Sequence, residues 1–212
     1  FSMKNKIFIS QPYLDNDDKK NLVETFNSTW ISSNGNNILN FEKSFQKYTG
    51  SNYSLTCSNG TIAIELALKS LKIKSGDEVI VPNLTFAATI NAVINVGATP
   101  VLVDVNRNDF GFNKEELTRS INKKTFAIIF VHLLGIPVNI KKNLSGIKKK
   151  FFIIEDCAES LGAKIDGVHT GFNADCSTFS FFSNKIITTG EGGMINFKNK
   201  NVKNLEKKIK NQ

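Results

Sequence analysis

The sequence predicts an α/β fold, a mostly parallel sheet with helices on both faces. Three observations carry that expectation. Continuous apolar runs of strand length recur at Val79-Ile80-Val81, Phe126-Ala127-Ile128-Ile129-Phe130 and Phe151-Phe152-Ile153-Ile154. Strands apolar at every position are buried on both faces, as parallel strands are. Helix-periodic segments separate these runs, so strand and helix alternate.

Taken in order, residues 15–26 read as a helix capped by Asp15, with Leu22, Val23 and Phe26 as its apolar stripe. Residues 29–37, containing Trp30 and Gly35, read as a polar turn. Residues 38–49 form a second helix with Phe41, Phe45 and Tyr48 on one face, stopped by Gly50. A short strand over 53–57 leads through Ser58-Asn59-Gly60-Thr61 into a helix over 62–71, with Ala63, Leu66, Ala67 and Leu71 inward. Ser75-Gly76-Asp77 is a turn before a buried strand over 78–82. A helix over 86–96 follows, with Ala87, Ile90, Val93 and Ile94 inward and Gly97 at its end.

The second half repeats the alternation. A strand over 100–105 precedes a helix over 113–121, where Asn113 is the cap and Glu116 its capping-box partner. Strands follow over 125–131 and 151–154, separated by a basic helix or turn over 139–150. One more strand over 177–182 runs into Lys185. Gly190–Gly193 is a flexible turn, 194–197 a final short strand, and 202–210 a Lys-rich helix.

At 212 residues the chain suffices for one large domain, or one domain and part of another. Residues 1–11 read as an N-terminal leader or arm, with 1–6 as a leader or tag remnant and Met3 as the candidate natural start. Residues 12–212 form the large domain. The net charge of +8 comes from lysines concentrated in 141–150 and 198–210. The terminal run has no interleaved aromatic side chains, so these lysines read as solvated faces and no nucleic-acid partner is expected. Cys57, Cys157 and Cys176 are far apart and odd in number, which suggests neither a disulfide framework nor a zinc site. Two histidines are too few for most His-based metal sites, and no metal is expected. No apolar run is long enough to span a membrane and no signal pattern opens the chain, so the cytoplasm is the default.

Three features carry chemistry. The strand, glycine turn and helix at Gly60-Thr61 form a geometry that binds phosphate, because first-turn N–H groups and the helix dipole face the anion. An ordinary strand-to-helix turn uses the same residue types. Asp156 follows an apolar strand, where α/β sheets place their ligands, and a helix N-cap there is equally open. Lys185 follows Phe179, Phe181 and Phe182. Desolvation beside three rings disfavours an ammonium and favours a nucleophilic amine, although alone this lysine reads as a solvated strand end. Together the three match the handles of pyridoxal 5′-phosphate: phosphate, ring nitrogen and aldehyde. Phe86 could stack on the ring face. No GxGxxG follows the first strand and no P-loop is present, which disfavours a dinucleotide site.

With Trp30-Ile31-Ser32-Ser33, Ser58-Asn59-Gly60-Thr61-Ile62-Ala63, the run from Asp77 through Pro82 to Phe86, Gly97-Ala98-Thr99-Pro100-Val101, Val131-His132-Leu133, the run from Glu155 to Gly162 and the Lys185 stretch all in order, the chain resembles the DegT/DnrJ/EryC1/StrS sugar aminotransferase family from about Pro12 onward. The stretch 184–193 is most similar to GDP-perosamine synthases and related enzymes acting on nucleotide-linked 4-keto-6-deoxy sugars.

The resemblance implies a fold-type I aminotransferase large domain that binds pyridoxal 5′-phosphate. It implies that Lys185 forms the internal Schiff base and serves as acid and base, that Asp156 pairs with the ring nitrogen, and that Phe86 stacks on the ring. It also implies that Gly60, Thr61 and Ser180 hold the phosphate. Glu159 falls near the cofactor's 3-hydroxyl, where many members have Gln and perosamine-type members have Glu. A lysine at 185 points to amino transfer, since the family's sugar dehydratases carry His there. The reaction would move an amino group from glutamate to C4 of a keto sugar, in a homodimer with shared active sites. Members of the family are longer and continue into a small C-terminal domain, which this chain is expected to lack in whole or part. A catalytically incomplete or regulatory protein of the same fold is the alternative.

Overall fold

The computed structural model describes residue 7 and residues 10–32, 35–148 and 150–198. The expected leader over 1–6 and the Lys-rich helix over 202–210 lie outside the described residues.

Seven strands form one sheet: β1 (Tyr53–Cys57), β2 (Glu78–Pro82), β3 (Thr99–Val103), β4 (Thr125–Val131), β5 (Phe152–Asp156), β8 (Cys176–Ser180) and β9 (Gly193–Phe197). Their order is β1-β9-β8-β5-β4-β2-β3. The pairs β2–β3, β2–β4, β4–β5 and β5–β8 are parallel. β9 runs antiparallel to both β8 and β1. The connection from β8 to β9 carries no helix, and an antiparallel return needs none, whereas a parallel crossover does.

The two-residue period of the strands sorts the core into two layers. Val79, Val81, Ala127, Ile129, Ile154 and Ile195 face α3 (Gly60–Ser70) and α4 (Ala87–Asn95), which bring Ala63, Ile64, Ala67, Leu68, Ala92 and Val93. Ile80, Val103, Ile128 and Phe130 face the opposite way, onto Phe112, Leu117 of α5 (Lys114–Ser120), Val138 and Ile140 of α6 (Ile140–Asn143). A third cluster joins Phe45 of α2 (Asn36–Thr49) to Phe179, Phe181, Met194 and Cys157.

Capping follows the sequence in most places. Asp15 closes a reciprocal box with Asp18 at the start of α1 (Asn16–Asn27). Gly50 ends α2 in the left-handed region, at φ 73°. Asn113 caps α5 by accepting from Glu116 N–H. The Glu116 carboxylate turns instead to Asp104 N–H at 3.2 Å, so the expected capping box is half closed.

Several expectations are corrected. Leu22, Val23 and Phe26 of α1 are exposed, and no residue of that helix is buried. Tyr48, Ala87 and Ile94 also face outward. Buried Thr89 takes an inward position on α4 where a purely apolar stripe was expected. The basic segment over 139–150 yields only the single turn of α6. A hairpin, β6 (Lys164–Ile165) with β7 (Val168–His169), was not foreseen. Its Asp166-Gly167 turn has positive φ at both residues, 50° and 79°, and Asp-Gly is the turn signal for that geometry. Its two-residue strands are too short to show alternation.

Among the described residues no helix is long and apolar enough to cross a membrane.

Candidate active site

The carboxyl ends of β5 and β8 and the amino ends of α3 and α4 surround a cleft of about 510 Å³. Gly60, Thr61, Phe86, Asp156, Glu159, Ser180 and Lys185 all line it. The structure thus brings together every residue that the sequence singles out for a site.

The anion end is built by α3. Asn59 caps the helix by accepting from Ile62 N–H at 2.9 Å. The N–H groups of Gly60 and Thr61 donate to no protein group among the described residues. Such paired amides at a helix start favour an anion. A Cβ on Gly60 would stand 2.9 Å from Ser180 Cβ and 3.3 Å from its hydroxyl oxygen, so glycine is what lets α3 meet β8 here. Gly193 does the same from below: a Cβ there would meet Asn59 O at 2.5 Å.

Asp156 ends β5 and is buried. Its Oδ2 accepts from Thr89 Oγ1 at 2.9 Å and its Oδ1 from Ala158 N–H at 3.1 Å. Burial pushes its carboxyl above the ordinary value; the Thr89 and Ala158 hydrogen bonds, His132 and Lys185 oppose that rise.

Lys185 follows β8 in a tight turn, its N–H donating to Phe182 O at 3.0 Å. Threonines tie the same loop to the strand end. Thr188 Oγ1 and Thr189 N–H both donate to Phe181 O at 3.0 Å. The surroundings of the lysine differ from the sequence expectation. Phe182 lines the cleft, but the rings of Phe179 and Phe181 pack against α2: Phe179 meets Phe45 with ring centroids 4.9 Å apart, and Phe181 meets Phe41 and Phe45 at 5.1 and 5.7 Å. A carboxylate meets the ammonium instead: Glu159 Oε1 lies 3.3 Å from Lys185 Nζ. The other oxygen of Glu159 accepts from Leu134 N–H at 2.7 Å. Leu134 holds a left-handed conformation, φ 53° and ψ 26°. That is costly for leucine, and such strain gathers at functional sites.

Phe86 is the N-cap residue of α4 and is exposed, with its side chain beside the cleft mouth.

The sequence reading gave His132 and Glu155 no role. Both are buried. His132 Nδ1 accepts from Val138 N–H at 2.9 Å, which leaves Nε2 as the protonated nitrogen facing Glu155 Oε2 at 2.9 Å. Glu155 also accepts from Gly171 and Asn173 N–H at 2.8 and 2.9 Å. With Cys157 these two residues form a close group of donor atoms, all within 4.8 Å of one another. Both imidazole nitrogens are spent on protein partners and burial pushes the Cys157 thiol up, so the group serves as a hydrogen-bonded strut beneath the cleft. No local signal marks this pair, because 23 residues separate its members.

Known proteins share this architecture. The chain is 46% identical over 188 residues to GDP-perosamine synthase of Escherichia coli O157:H7, covering 88% of this chain and 52% of that protein. Its fold matches a Streptococcus pneumoniae protein described as a sugar aminotransferase, in its PLP form, with a TM-score of 0.87 and 31% identity over 97% of this chain and 57% of that one. It also matches Escherichia coli GDP-4-keto-6-deoxy-D-mannose-3-dehydratase with bound hydrated PLP, with a TM-score of 0.80 and 29% identity over 91% of this chain and 52% of that one. The chain spans about half the length of the curated relatives it matches. Residues 12–212 match the DegT/DnrJ/EryC1/StrS aminotransferase family, and the chain belongs to it.

Proposed function

We propose that this chain is the cofactor-binding large domain, residues 12–212, of a pyridoxal 5′-phosphate-dependent aminotransferase acting on a nucleotide-linked 4-keto-6-deoxy sugar. The observation that carries the reading is the convergence of Lys185, Asp156 and the Gly60-Thr61 amides on one cleft.

The residues fit the group. Two N–H donors at a helix start and the Ser180 hydroxyl suit a phosphate, and the Gly60–Ser180 approach leaves no room for a side chain between them. When bound, pyridoxal phosphate supplies an aldehyde that condenses with amines and a protonated ring that withdraws electrons. Asp156 would face the ring nitrogen, and a cation there offsets the cost of a buried carboxylate. Phe86 would cover one ring face. Lys185 would take the aldehyde and afterwards hold or release a proton at Nζ. Glu159 fixes Lys185 from one side and the strained Leu134 turn from the other.

Amino transfer is favoured over dehydration because position 185 is lysine, where the family's sugar dehydratases carry histidine. Glutamate would supply the amino group, and C4 of the keto sugar would receive it. The similarity to the GDP-perosamine synthases supports that choice of acceptor. We further propose a cytoplasmic homodimer with shared active sites.

The test adds pyridoxal phosphate to the protein and records the visible absorption band. Borohydride should then leave the cofactor covalently attached at Lys185, and Lys185→Ala should abolish the attachment. Glutamate should discharge the band, and a GDP-linked 4-keto-6-deoxy sugar should restore it. Folded protein that forms no band with added cofactor would sink the reading.

A further inference from the structure

Asp156 does not stand alone at the end of β5. Thr89, one turn into α4 and fully buried, donates to its Oδ2 at 2.9 Å. Thr89 Oγ1 also lies 2.9 Å from Thr85 Oγ1. A hydroxyl has one proton. With the Thr89 proton given to the carboxylate, the bond between the threonines has one remaining direction, from Thr85 to Thr89. The chain therefore runs Thr85 O–H to Thr89 O–H to Asp156 Oδ2. Each bond polarises the next, which strengthens the final donor to the carboxylate. Thr85 lines the cleft and Thr89 does not.

The choice of threonine at 89 needs a reason. The position lies on the buried stripe of α4, beside Ala92 and Val93, where valine would fill the same space. An interior hydroxyl is retained at a cost unless it has a partner. Here its partner is a carboxylate that, among the described residues, has one other hydrogen bond, from Ala158 N–H. The charged or titratable groups acting on Asp156 are His132 just after β4, Lys185 from the loop after β8 and Cys157 next in sequence. None of these donates a hydrogen bond to Oδ2 among the described residues.

We propose that Thr89 is a positioning residue: its hydroxyl, oriented by Thr85, keeps Asp156 Oδ2 aimed and charged for the cationic ring nitrogen of the cofactor. This rests on the pyridoxal phosphate reading above. It extends that reading to a residue that touches neither cofactor nor substrate.

The experiment compares wild type, Thr89→Val, Thr89→Ser and Asp156→Asn by titration with pyridoxal phosphate, followed by the visible band and its pH dependence. Thermal unfolding of each cofactor-free variant is measured beside it. Thr89→Val should weaken cofactor affinity about 10- to 100-fold, as expected for losing a hydrogen bond to a charged group, and should displace the pH profile of the band toward that of Asp156→Asn. Thr89→Ser should restore both affinity and profile to within about threefold of wild type, since it keeps the donor. Thr89→Val with wild-type affinity and profile overturns the proposal. So does a serine variant as impaired as valine, which would make the role one of packing. A wild type that binds no cofactor instead overturns the functional reading itself.

Discussion

Lys185 Nζ lies 3.3 Å from Glu159 Oε1, across 26 residues of sequence. The lysine at the centre of the cleft is thus held by the loop after β5, and the same carboxylate grips Leu134 in its left-handed turn.

That double hold predicts a local effect. Glu159→Ala should lower stability by about 1–3 kcal/mol, through the loss of hydrogen bonds to a charged group and release of the Leu134 amide. Amide hydrogen exchange should accelerate at Leu134. Glu159→Gln should protect that amide nearly as well as wild type, because its carbonyl oxygen still accepts. Unchanged exchange in the alanine variant would remove Glu159 as the anchor of the turn.

The two close-approach glycines should rank by what they meet. At Gly60 an added methyl meets Ser180 Cβ at 2.9 Å, and at Gly193 it meets the Asn59 carbonyl oxygen and carbon at 2.5 and 2.6 Å; the backbone holds both, and the overlap at Gly193 is deeper. Gly60→Ala should cost about 1–3 kcal/mol and weaken phosphate-dependent cofactor binding. Gly193→Ala should cost more. Urea midpoints in the reverse order would contradict the geometry.

Stability should depend on pH through Asp156. Burial raises its carboxyl from the ordinary 3.8, so the folded chain holds the proton to higher pH than the unfolded chain does. The stabilisation from that proton is full below the unfolded value and is lost as pH rises through the raised folded value. Cofactor-free wild type should therefore lose stability relative to Asp156→Asn as pH rises above about 4, then level off. Denaturant curves across this range check it; a difference that grows in the wild type's favour with pH would refute it.

Glu155 should matter for folding more than its distance from the lysine suggests. It accepts from His132, Gly171 and Asn173. Glu155→Ala leaves the buried His132 Nε2–H and the partly buried Gly171 and Asn173 N–H groups without this acceptor and should cost about 3 kcal/mol. Glu155→Gln should cost less, since its carbonyl still accepts part of the set. An alanine variant that unfolds at the wild-type denaturant midpoint would show that the strut is dispensable.

What the sequence determined by itself is whatever local chemistry encodes. Unbroken apolar runs announced the parallel strands at 78–82 and 125–131, matching β2 and β4 to the residue. Asp15, Asn113 and Gly50 announced helix ends, because caps are short-range hydrogen bonds and backbone angles. Gly60, Asp156 and Lys185 stood out because each follows a strand, where an α/β sheet opens to ligands. Only the tertiary structure decided the rest. It inserted β9 antiparallel between β1 and β8, turned Phe181 away from the lysine, set Glu159 against it, and left Leu22, Val23 and Phe26 of α1 exposed. It also put Thr89 on Asp156, 67 residues away. These are contacts through space between segments far apart in the chain, and neither periodicity nor turn chemistry at one residue carries information about a partner so distant.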